Sequence, residues 1–162
     1  MAQFGRAVSH TLNNDQPMPT TCHSLATAHT ALVAELIAAW NAHDVARILA
    51  LYATDFVGHD VAAARPMLGT RLLRKHLERY MSAFPDVVVE CNRVVAVEDA
   101  VAMTWQAKAT HRGTFMRIPP TGRRVSMRGV TLLTIVGGKV TTSERIWDVA
   151  GLLRGMGLLT EL

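Results

Sequence analysis

The beginning of the chain changes from a polar stretch to an apolar pattern at helical spacing. From Ser24 onward, the apolar residues at this spacing are Leu25, Ala28, Leu32, Leu36 and Trp40. Because they recur every three to four positions, they predict one apolar face on a helix of about four to five turns. Residues 1–22 are polar and have no such period, so we expect a flexible leader there.

Two further helices are predicted before the middle of the chain. Asp44 is a favoured residue type for the cap of a short second helix, and the run FVGHDV after it is typical of a brief strand. A third helix is predicted from about Thr70, and Pro85 ends it because proline cannot continue a helix. Its apolar side is formed by Leu73, Leu77, Tyr80, Met81 and Phe84.

After Pro85 the pattern changes from helical to alternating. A valine-rich run, DVVVECNRVVAVEDA, is followed at a period of two by Val101, Met103, Trp105, Ala107 and Ala109. IPPTGR and VGGKV supply turns, because proline fixes its own backbone angle and glycine tolerates positive ones. Four antiparallel strands and a short final helix over WDVAGLLRGMGLL are therefore predicted, in an α+β domain whose helices cover one face of a sheet.

The pairing of the last strands decides whether two candidate polar residues share a pocket. Turns at 119 to 122 and 137 to 138 place Thr131 opposite Glu144, and they place His111 opposite either Val130 or Thr131. Because successive side chains alternate between the faces of a strand, His111 and Asp148 share a face when Thr131 is the partner. With Val130 as the partner they lie on opposite faces, and the sequence leaves both registers open.

Composition narrows the class of protein. The chain has 162 residues, 49% hydrophobic and 19% charged, which fits one globular domain that we assign to residues 23–162. The sequence has neither a run of about 18 apolar residues nor the apolar centre of a secretory signal, so we expect no membrane contact and a cytoplasmic location. The net charge of +4 comes from scattered Arg and Lys without interleaved aromatics, which favours a solvated basic face over nucleic-acid binding.

Neither the cysteines nor the histidines have the spacing of a metal or redox site. Cys22 and Cys91 are far apart, and we expect Cys91 to be buried in a structural role. No two histidines stand four residues apart among His10, His23, His29, His43, His59, His76 and His111. A metal site is therefore not expected.

Two segments carry a resemblance to a known family. The run THRGTFMRIPPTGRRVSMRGVTLLTIVGGKV, followed by WDVAGLLRGMG, resembles the SnoaL-like polyketide cyclase (ester cyclase) family, as do NAHDVARILALYATDFVGHD and FPDVVVE. The resemblance covers about residues 27 to 159. It implies a cone-shaped fold like that of nuclear transport factor 2, a homodimer packed through the sheet, and a deep pocket. It also implies ring closure on a hydrophobic, polyketide-like substrate without a cofactor.

The resemblance implies roles for particular residues. An aspartate at the position of Asp148 is the acid or base of the founding members, and His111 is the candidate hydrogen-bond donor to a developing enolate. Burial would raise the pKa of an aspartate from its usual value of about 3.9 towards working pH. The candidate substrate contacts are Arg128, Thr131, His59, Trp40, Tyr52 and Trp105. A structural interpretation stands beside the catalytic one, because Asp148 is also a favoured N-cap, with a contribution of about 1 kcal/mol.

Cyclisation, isomerisation and dehydration all fit this site. Epoxide hydrolysis of the limonene epoxide hydrolase type is disfavoured, since the run RGT at Arg112 to Thr114 lacks a second carboxylate. Gly129 replaces a glutamine that helps hold substrate in some aldol cyclases. Two alternatives remain open: cofactor-free oxygenation, and a non-catalytic module that binds a small molecule or a protein.

Overall fold

The computed structural model of the chain describes residues 20–160, with side chains from residue 26 onward. The predicted leader, residues 1–22, lies outside this range except where the first helix begins at Thr20. Cys22, His10 and His23 lie outside the described side chains. Within the described range, no helix is long and apolar enough to cross a membrane.

Four helices form within residues 20–160, where the apolar spacing predicts them. They are α1 (Thr20–Asn41), α2 (Val45–Ala50), α3 (Gly69–Ala83) and α4 (Val149–Gly155). Asp44 caps α2, because its Oδ1 accepts a hydrogen bond from the Arg47 amide at 2.9 Å. The C-cap of α3 is Phe84, directly before Pro85.

The strands of the described range form one open, curved sheet. They are β1 (Tyr52–Asp60), β2 (Met67–Leu68), β3 (Val88–Val97), β4 (Ala100–Thr110), β5 (Arg124–Val136) and β6 (Lys139–Trp147). The order across the sheet is β2-β1-β6-β5-β4-β3, and β1 and β6 are parallel while the other neighbours are antiparallel. Helices that cover one face of a mostly antiparallel sheet confirm the predicted α+β class.

A bulge in β6 changes which of its residues face the helices. The register shifts by one at Thr141, which lies between two paired residues without a β5 partner of its own. Thr131 consequently pairs with Arg145, and the predicted pairing with Glu144 is wrong. Since a slip of one residue exchanges the two faces of a strand, Arg145 faces the helices and Glu144 faces away from them.

The connection between β4 and β5 is a long loop, not the hairpin turn predicted at 119 to 122. Residues 111–123 separate the two strands. His111 lies beside Arg123, whose carbonyl oxygen accepts a hydrogen bond from the His111 amide at 2.9 Å. Both predicted partners of His111, Val130 and Thr131, are therefore wrong, because the loop contains residues that a hairpin would have paired.

Two clusters of buried apolar side chains form the core. The first core cluster lies between the first three helices and the sheet, and its members include Val33, Leu36, Ile48, Phe56, Leu77 and Val140. The second core cluster lies under α4 and the 111–123 loop, and its members include Phe84, Val87, Phe115, Val125, Leu152 and Met156. Trp105 packs against both clusters. Cys91, which we expected to be buried, is half-buried beside the first cluster.

Candidate active site

A cavity of about 120 Å³ lies between the helices and the inner face of the sheet. Apolar side chains form most of its wall, and they include Leu36, Ile37, Phe56, Leu73, Met103 and Met127. Its place follows from the sequence pattern, because the apolar faces of α1 and α3 both turn towards the sheet. A concave, mostly apolar space with a few polar groups suits a small hydrophobic ligand.

One end of the cavity is formed by a polar cluster, which consists of Asp60, His76, Tyr80 and Arg145. Asp60 ends β1 and lies beside Arg145 of β6, because these two strands are neighbours in the sheet. His76 and Tyr80 are four residues apart on α3, so they lie on the same face of that helix. The parallel pairing of β1 and β6 thus brings together residues that are distant in the chain.

Asp60 and Arg145 form the ion pair at the centre of the polar cluster. Oδ2 of Asp60 accepts hydrogen bonds from Nε of Arg145 at 2.8 Å and from its Nη2. Oδ1 accepts hydrogen bonds from Nε1 of Trp147 at 2.9 Å and from the Ala62 amide at 2.8 Å. Only 8% of the Asp60 side chain and 19% of the Arg145 side chain are exposed. Both carboxylate oxygens are occupied, so Asp60 serves to orient Arg145.

Nη2 of Arg145 has more hydrogen-bond acceptors than hydrogens. Besides Asp60, it lies 3.1 Å from Nε2 of His76 and 2.6 Å from the hydroxyl oxygen of Tyr80. A guanidinium NH₂ group carries two hydrogens, so it cannot satisfy three acceptors at full strength. An oxygen of a bound ligand can therefore take one of these hydrogens in exchange for a shared bond.

The contacts of the polar cluster determine the charges of its central pair. Burial by itself raises the pKa of Asp60, but the charge of Arg145 and the hydrogen bonds outweigh burial and hold that pKa below its usual value. Burial by itself lowers the pKa of Arg145, whereas Tyr80 and Asp60 beside it raise that pKa overall. Asp60 is therefore an anion and Arg145 a cation at neutral pH.

The remaining members of the polar cluster are neutral at the same pH. Burial, followed by the charge of Arg145, lowers the pKa of His76 to about 4. Burial raises the pKa of Tyr80, against the opposing charge of Arg145. The cavity therefore presents a neutral imidazole and a neutral phenol next to a guanidinium. Burial also raises the pKa of Tyr52, elsewhere in the wall, to about 12.

Most of the predicted substrate contacts lie in the cavity wall, namely Trp40, Tyr52, His59, Trp105 and Thr131. Nε1 of Trp105 donates a hydrogen bond to Oγ1 of Thr131 at 3.0 Å, which fixes both side chains. His59 is exposed and borders the cavity, whereas its strand neighbour Gly58 is buried. Contact between these side chains and a substrate stays a prediction.

His111 does not reach the cavity. Its side chain is fully buried beside Phe84, with the ring centroids 5.5 Å apart. Nδ1 accepts a hydrogen bond from the Thr121 amide at 3.3 Å and lies 3.1 Å from the Thr121 hydroxyl oxygen. Burial lowers the pKa of His111. The predicted position of His111 in the pocket is wrong, because the 111–123 loop folds over its ring.

Asp148 caps α4 outside the cavity. Its Oδ1 accepts a hydrogen bond from the Gly151 amide at 2.7 Å, and Arg128 and Arg154 lie 3.7 Å and 3.9 Å from its carboxylate oxygens. A Cβ atom on residue 151 would collide with this carboxylate, which explains the glycine where a capping box has Glu or Gln. The predicted common pocket of Asp148 and His111 therefore does not form, and the N-cap interpretation describes Asp148.

Arg128 lies on the outer face of the sheet, with 82% of its side chain exposed. The predicted contact of Arg128 with a substrate in the cavity is wrong, because alternation along β5 turns Gly129 inward and Arg128 outward. A Cβ atom on residue 129 would lie 2.7 Å from Cζ2 of Trp105. The Trp105 ring therefore fills the space that a longer side chain at position 129 would need.

The sequence patterns did not predict the polar cluster. Arg145 falls on the wrong face when β6 is taken as a regular strand. His76 and Tyr80 did carry a signal, since polar residues four apart at the border of the apolar stripe of a helix lie on one face. Among the described residues, no group of three His, Cys, Asp or Glu side chains is arranged to hold a metal ion.

Helices that cover a curved sheet, with an apolar cavity bordered by a polar cluster, define a domain of the cone-shaped, nuclear transport factor 2-like class. The family model described as SnoaL-like polyketide cyclase matches residues 30–156. The chain therefore belongs to the SnoaL-like polyketide cyclase family, and the resemblance seen in the sequence is confirmed.

Solved structures share this fold. AclR from Streptomyces galilaeus, provisionally assigned as a hydroxylase, is 33% identical with a TM-score of 0.76, over 85% of this chain and 89% of that chain. IdmH from Streptomyces antibioticus, provisionally assigned as a polyketide cyclase, is 26% identical with a TM-score of 0.69, over 79% of this chain and 97% of that chain. A protein from Catenulispora acidiphila with a ketosteroid isomerase-like fold is 20% identical with a TM-score of 0.67, over 79% of this chain and 93% of that chain. This structural match confirms the predicted fold. No curated protein matches the chain.

Proposed function

We propose that the chain is a cofactor-independent enzyme that moves a proton on a hydrophobic, oxygenated, polyketide-like molecule. The reaction is a cyclisation, an isomerisation or a dehydration. The observation that carries the proposal is the guanidinium of Arg145, which is buried in the wall of an apolar cavity and whose Nη2 has three acceptors for two hydrogens. Membership of a polyketide cyclase family supports the substrate class.

Arg145 and Tyr80 are the groups that stabilise negative charge in this mechanism. The oxygen of Tyr80 accepts a hydrogen bond from Arg145, so the hydrogen of the phenol remains available for a substrate carbonyl oxygen. When a proton leaves the carbon beside that carbonyl, negative charge moves to the oxygen. Preorganised donors at such a position contribute about 10² to 10³ in rate each.

His76 is the proton acceptor of the mechanism. It is neutral at pH 7, and its Nε2 is freed when a substrate oxygen takes the hydrogen of Arg145. Burial and the charge of Arg145 lower its pKa in the empty cavity, and an enolate beside Arg145 offsets that charge. His76 therefore becomes a stronger base as the carbon–hydrogen bond breaks, and it returns the proton when the product forms.

Exchange of the α-protons of 2-tetralone, a bicyclic ketone, tests this mechanism by NMR in D₂O. We expect the wild-type protein to accelerate exchange over buffer, and His76→Gln and Tyr80→Phe to lower that acceleration by about tenfold or more. Tyr80→Phe keeps the ring that packs against Phe115, with centroids 4.8 Å apart, so the variant removes the hydroxyl and little packing.

Arg128→Lys is the matched control for the exchange experiment, because Arg128 is a cation on the outer face of the sheet. We expect this variant to accelerate the exchange of the 2-tetralone α-protons as much as the wild-type protein does. Absence of any acceleration by the wild-type protein would contradict the proposed enzyme. Binding of 2-tetralone without exchange would instead favour the non-catalytic module.

We also propose that the outer face of the sheet is the contact surface of a homodimer. Val95, Val130, Leu132 and Ile146 expose between 38% and 53% of their surface. The strand registers place them side by side, because Val130 pairs with Ile146, and Ala102 lies between Val95 and Leu132. A contiguous apolar surface of this kind marks an interaction site, and a second copy offers a face of the same shape and composition.

Sedimentation velocity tests the dimer. We expect a dimer for the wild-type protein and a monomer for Leu132→Glu, because the variant places like charges at the centre of the interface. Met116→Glu is the control, since Met116 is 43% exposed and lies in the 111–123 loop, outside the strands of the sheet. A wild-type monomer at micromolar concentration would overturn the proposed dimer.

A further inference from the structure

A second, basic cavity adjoins the first. This space, which we call the vestibule, has a volume of about 210 Å³, and its wall includes Arg65, Leu72, Lys75 and Arg79. Four residues line both spaces: Gly58, Asp60, Met67 and His76. The vestibule and the cavity therefore adjoin at Asp60 and His76 of the polar cluster.

The sequence of α3 sets the charge of the vestibule. Leu72, Lys75, His76, Arg79 and Tyr80 recur at spacings of three and four, so they share one side of the helix. His76 and Tyr80 take part in the polar cluster, and Lys75 and Arg79 border the vestibule beside them. After burial and Arg145, the charge of Arg79 also lowers the pKa of His76, as expected for a cation close to that ring.

The vestibule cations have no ion-pair partner within residues 20–160. Arg65, Lys75 and Arg79 form no ion pair with the described carboxylates. Asp60 is the one carboxylate among the residues that line the vestibule, and Arg145 already neutralises it. Three like charges around an open space produce a positive potential that attracts anions.

We propose that the vestibule binds the anionic group, a carboxylate or a phosphate, of a ligand whose apolar body occupies the cavity. The proposal rests on the proposed function and names its substrate class, which is a hydrophobic ketone that carries a negative charge. The anion pairs with Arg65, Lys75 and Arg79, and this leaves Arg145 for the carbonyl oxygen.

Calorimetric titration with three matched naphthalenes tests the vestibule: 2-naphthylacetate, its neutral amide and 2-naphthyl phosphate. At about 50 mM salt we expect the wild-type protein to bind one or both anions at least about fivefold more tightly than the amide, with the preference shrinking at about 0.5 M salt. Lys75→Gln/Arg79→Gln should remove this preference and leave the amide affinity within about twofold. Arg71→Gln/Arg74→Gln is the control, since it removes the same charge from α3 outside the vestibule and should keep the preference.

Each result supports or overturns the vestibule proposal. Preference for the carboxylate or for the phosphate identifies which anion the site takes. Equal affinity of the acid and the amide for the wild-type protein overturns the proposal, and so does binding of none of the three probes. A preference that persists in Lys75→Gln/Arg79→Gln also overturns it, because two of the three vestibule cations would then contribute nothing to anion binding. The exchange of 2-tetralone, an uncharged ketone, does not depend on the vestibule, so failure here is distinguishable from failure of the proposed enzyme.

Discussion

Two polar regions of the molecule use their side chains in opposite ways. In the polar cluster, Arg145 borders a cavity, and its Nη2 serves three acceptors with two hydrogens. At the 111–123 loop and the start of α4, His111 is fully buried, and Asp148 holds the first turn of the helix. Polar residues near apolar ones thus serve chemistry where they border space for a ligand, and they serve the fold where protein atoms surround them.

The two sets of polar contacts also differ in their reach along the chain. Asp148 contacts an amide three residues away, and His111 contacts Thr121 ten residues away. Arg145 contacts Tyr80 and Asp60, which are 65 and 85 residues away. Local contacts of the first kind define a helix end and a loop. A buried ion pair contributes little net stability compared with apolar packing, so the long-range pair of the polar cluster is better explained by function.

Removal of one charge from the polar cluster is expected to have the largest effect on stability. Arg145→Met should lower the free energy of unfolding by about 3 kcal/mol, because Asp60 would remain buried without its partner. Urea denaturation at pH 7 measures the change. Arg128→Met, on the outer face, should change it by less than about 0.5 kcal/mol.

The double variant Asp60→Asn/Arg145→Met separates the loss of the pair from the loss of packing. We expect it to recover part of the stability that Arg145→Met loses, since a neutral amide replaces the unpaired carboxylate. A loss below about 1 kcal/mol for Arg145→Met would show that the pair is hydrated, and the contrast between the two polar regions would then fail.

The pH dependence of stability tests the neutral state of His76. The pKa of His76 is about 4 in the folded protein and about 6.5 in an unfolded chain. Between these values the unfolded state binds the proton and the folded state does not, so the free energy of unfolding falls as pH falls from about 6.5 to 4. His76→Gln should remove about 2 kcal/mol of that fall, measured by urea denaturation across this window.

Part of the fall should remain in His76→Gln, because burial also lowers the pKa of His111. Asp60 acts in a different window, since its pKa is lowered and its contribution is lost only as pH falls below the usual range of a carboxyl group. His59→Gln, at an exposed position, is the control and should keep the wild-type profile. An unchanged profile in His76→Gln would mean that His76 is hydrated and not held in the polar cluster.

The sequence was sufficient to predict the helices and most of the strands, but not β2. Apolar spacing identified α1 and α3, and Pro85 marked the end of α3. The IPPTG and WD segments identified the family. These features could be predicted because they depend on residues near one another in the chain, or on a sequence motif that matches the motif of the family.

The site could not be predicted from the sequence because it depends on register. The extra residue Thr141 exchanges the faces of β6 and turns Arg145 inward. The partners of Arg145 come from β1 and α3, and nothing in the sequence near 145 indicates that parallel neighbour. His111 likewise lies outside the sheet, because the predicted turn at 119 to 122 belongs to the longer 111–123 loop.

Replacement of Asp148 is expected to have the smallest effect and separates its two interpretations. Asp148→Ala should lower the free energy of unfolding by about 1 kcal/mol, because the Gly151 amide loses its acceptor. Asp148→Asn should lower it by less than about 0.5 kcal/mol, since asparagine caps helices as well as aspartate does. Urea denaturation measures both changes.

The α-proton exchange of 2-tetralone provides a second test of the N-cap and catalytic interpretations of Asp148. An N-cap outside the cavity has no proton to move, so both variants should retain the wild-type exchange rate when corrected for the folded fraction. Asparagine keeps the cap and cannot act as a base, which makes Asp148→Asn the decisive variant. Full stability with lost exchange would make Asp148 the base after all, and it would require α4 to move so that the carboxylate reaches the cavity.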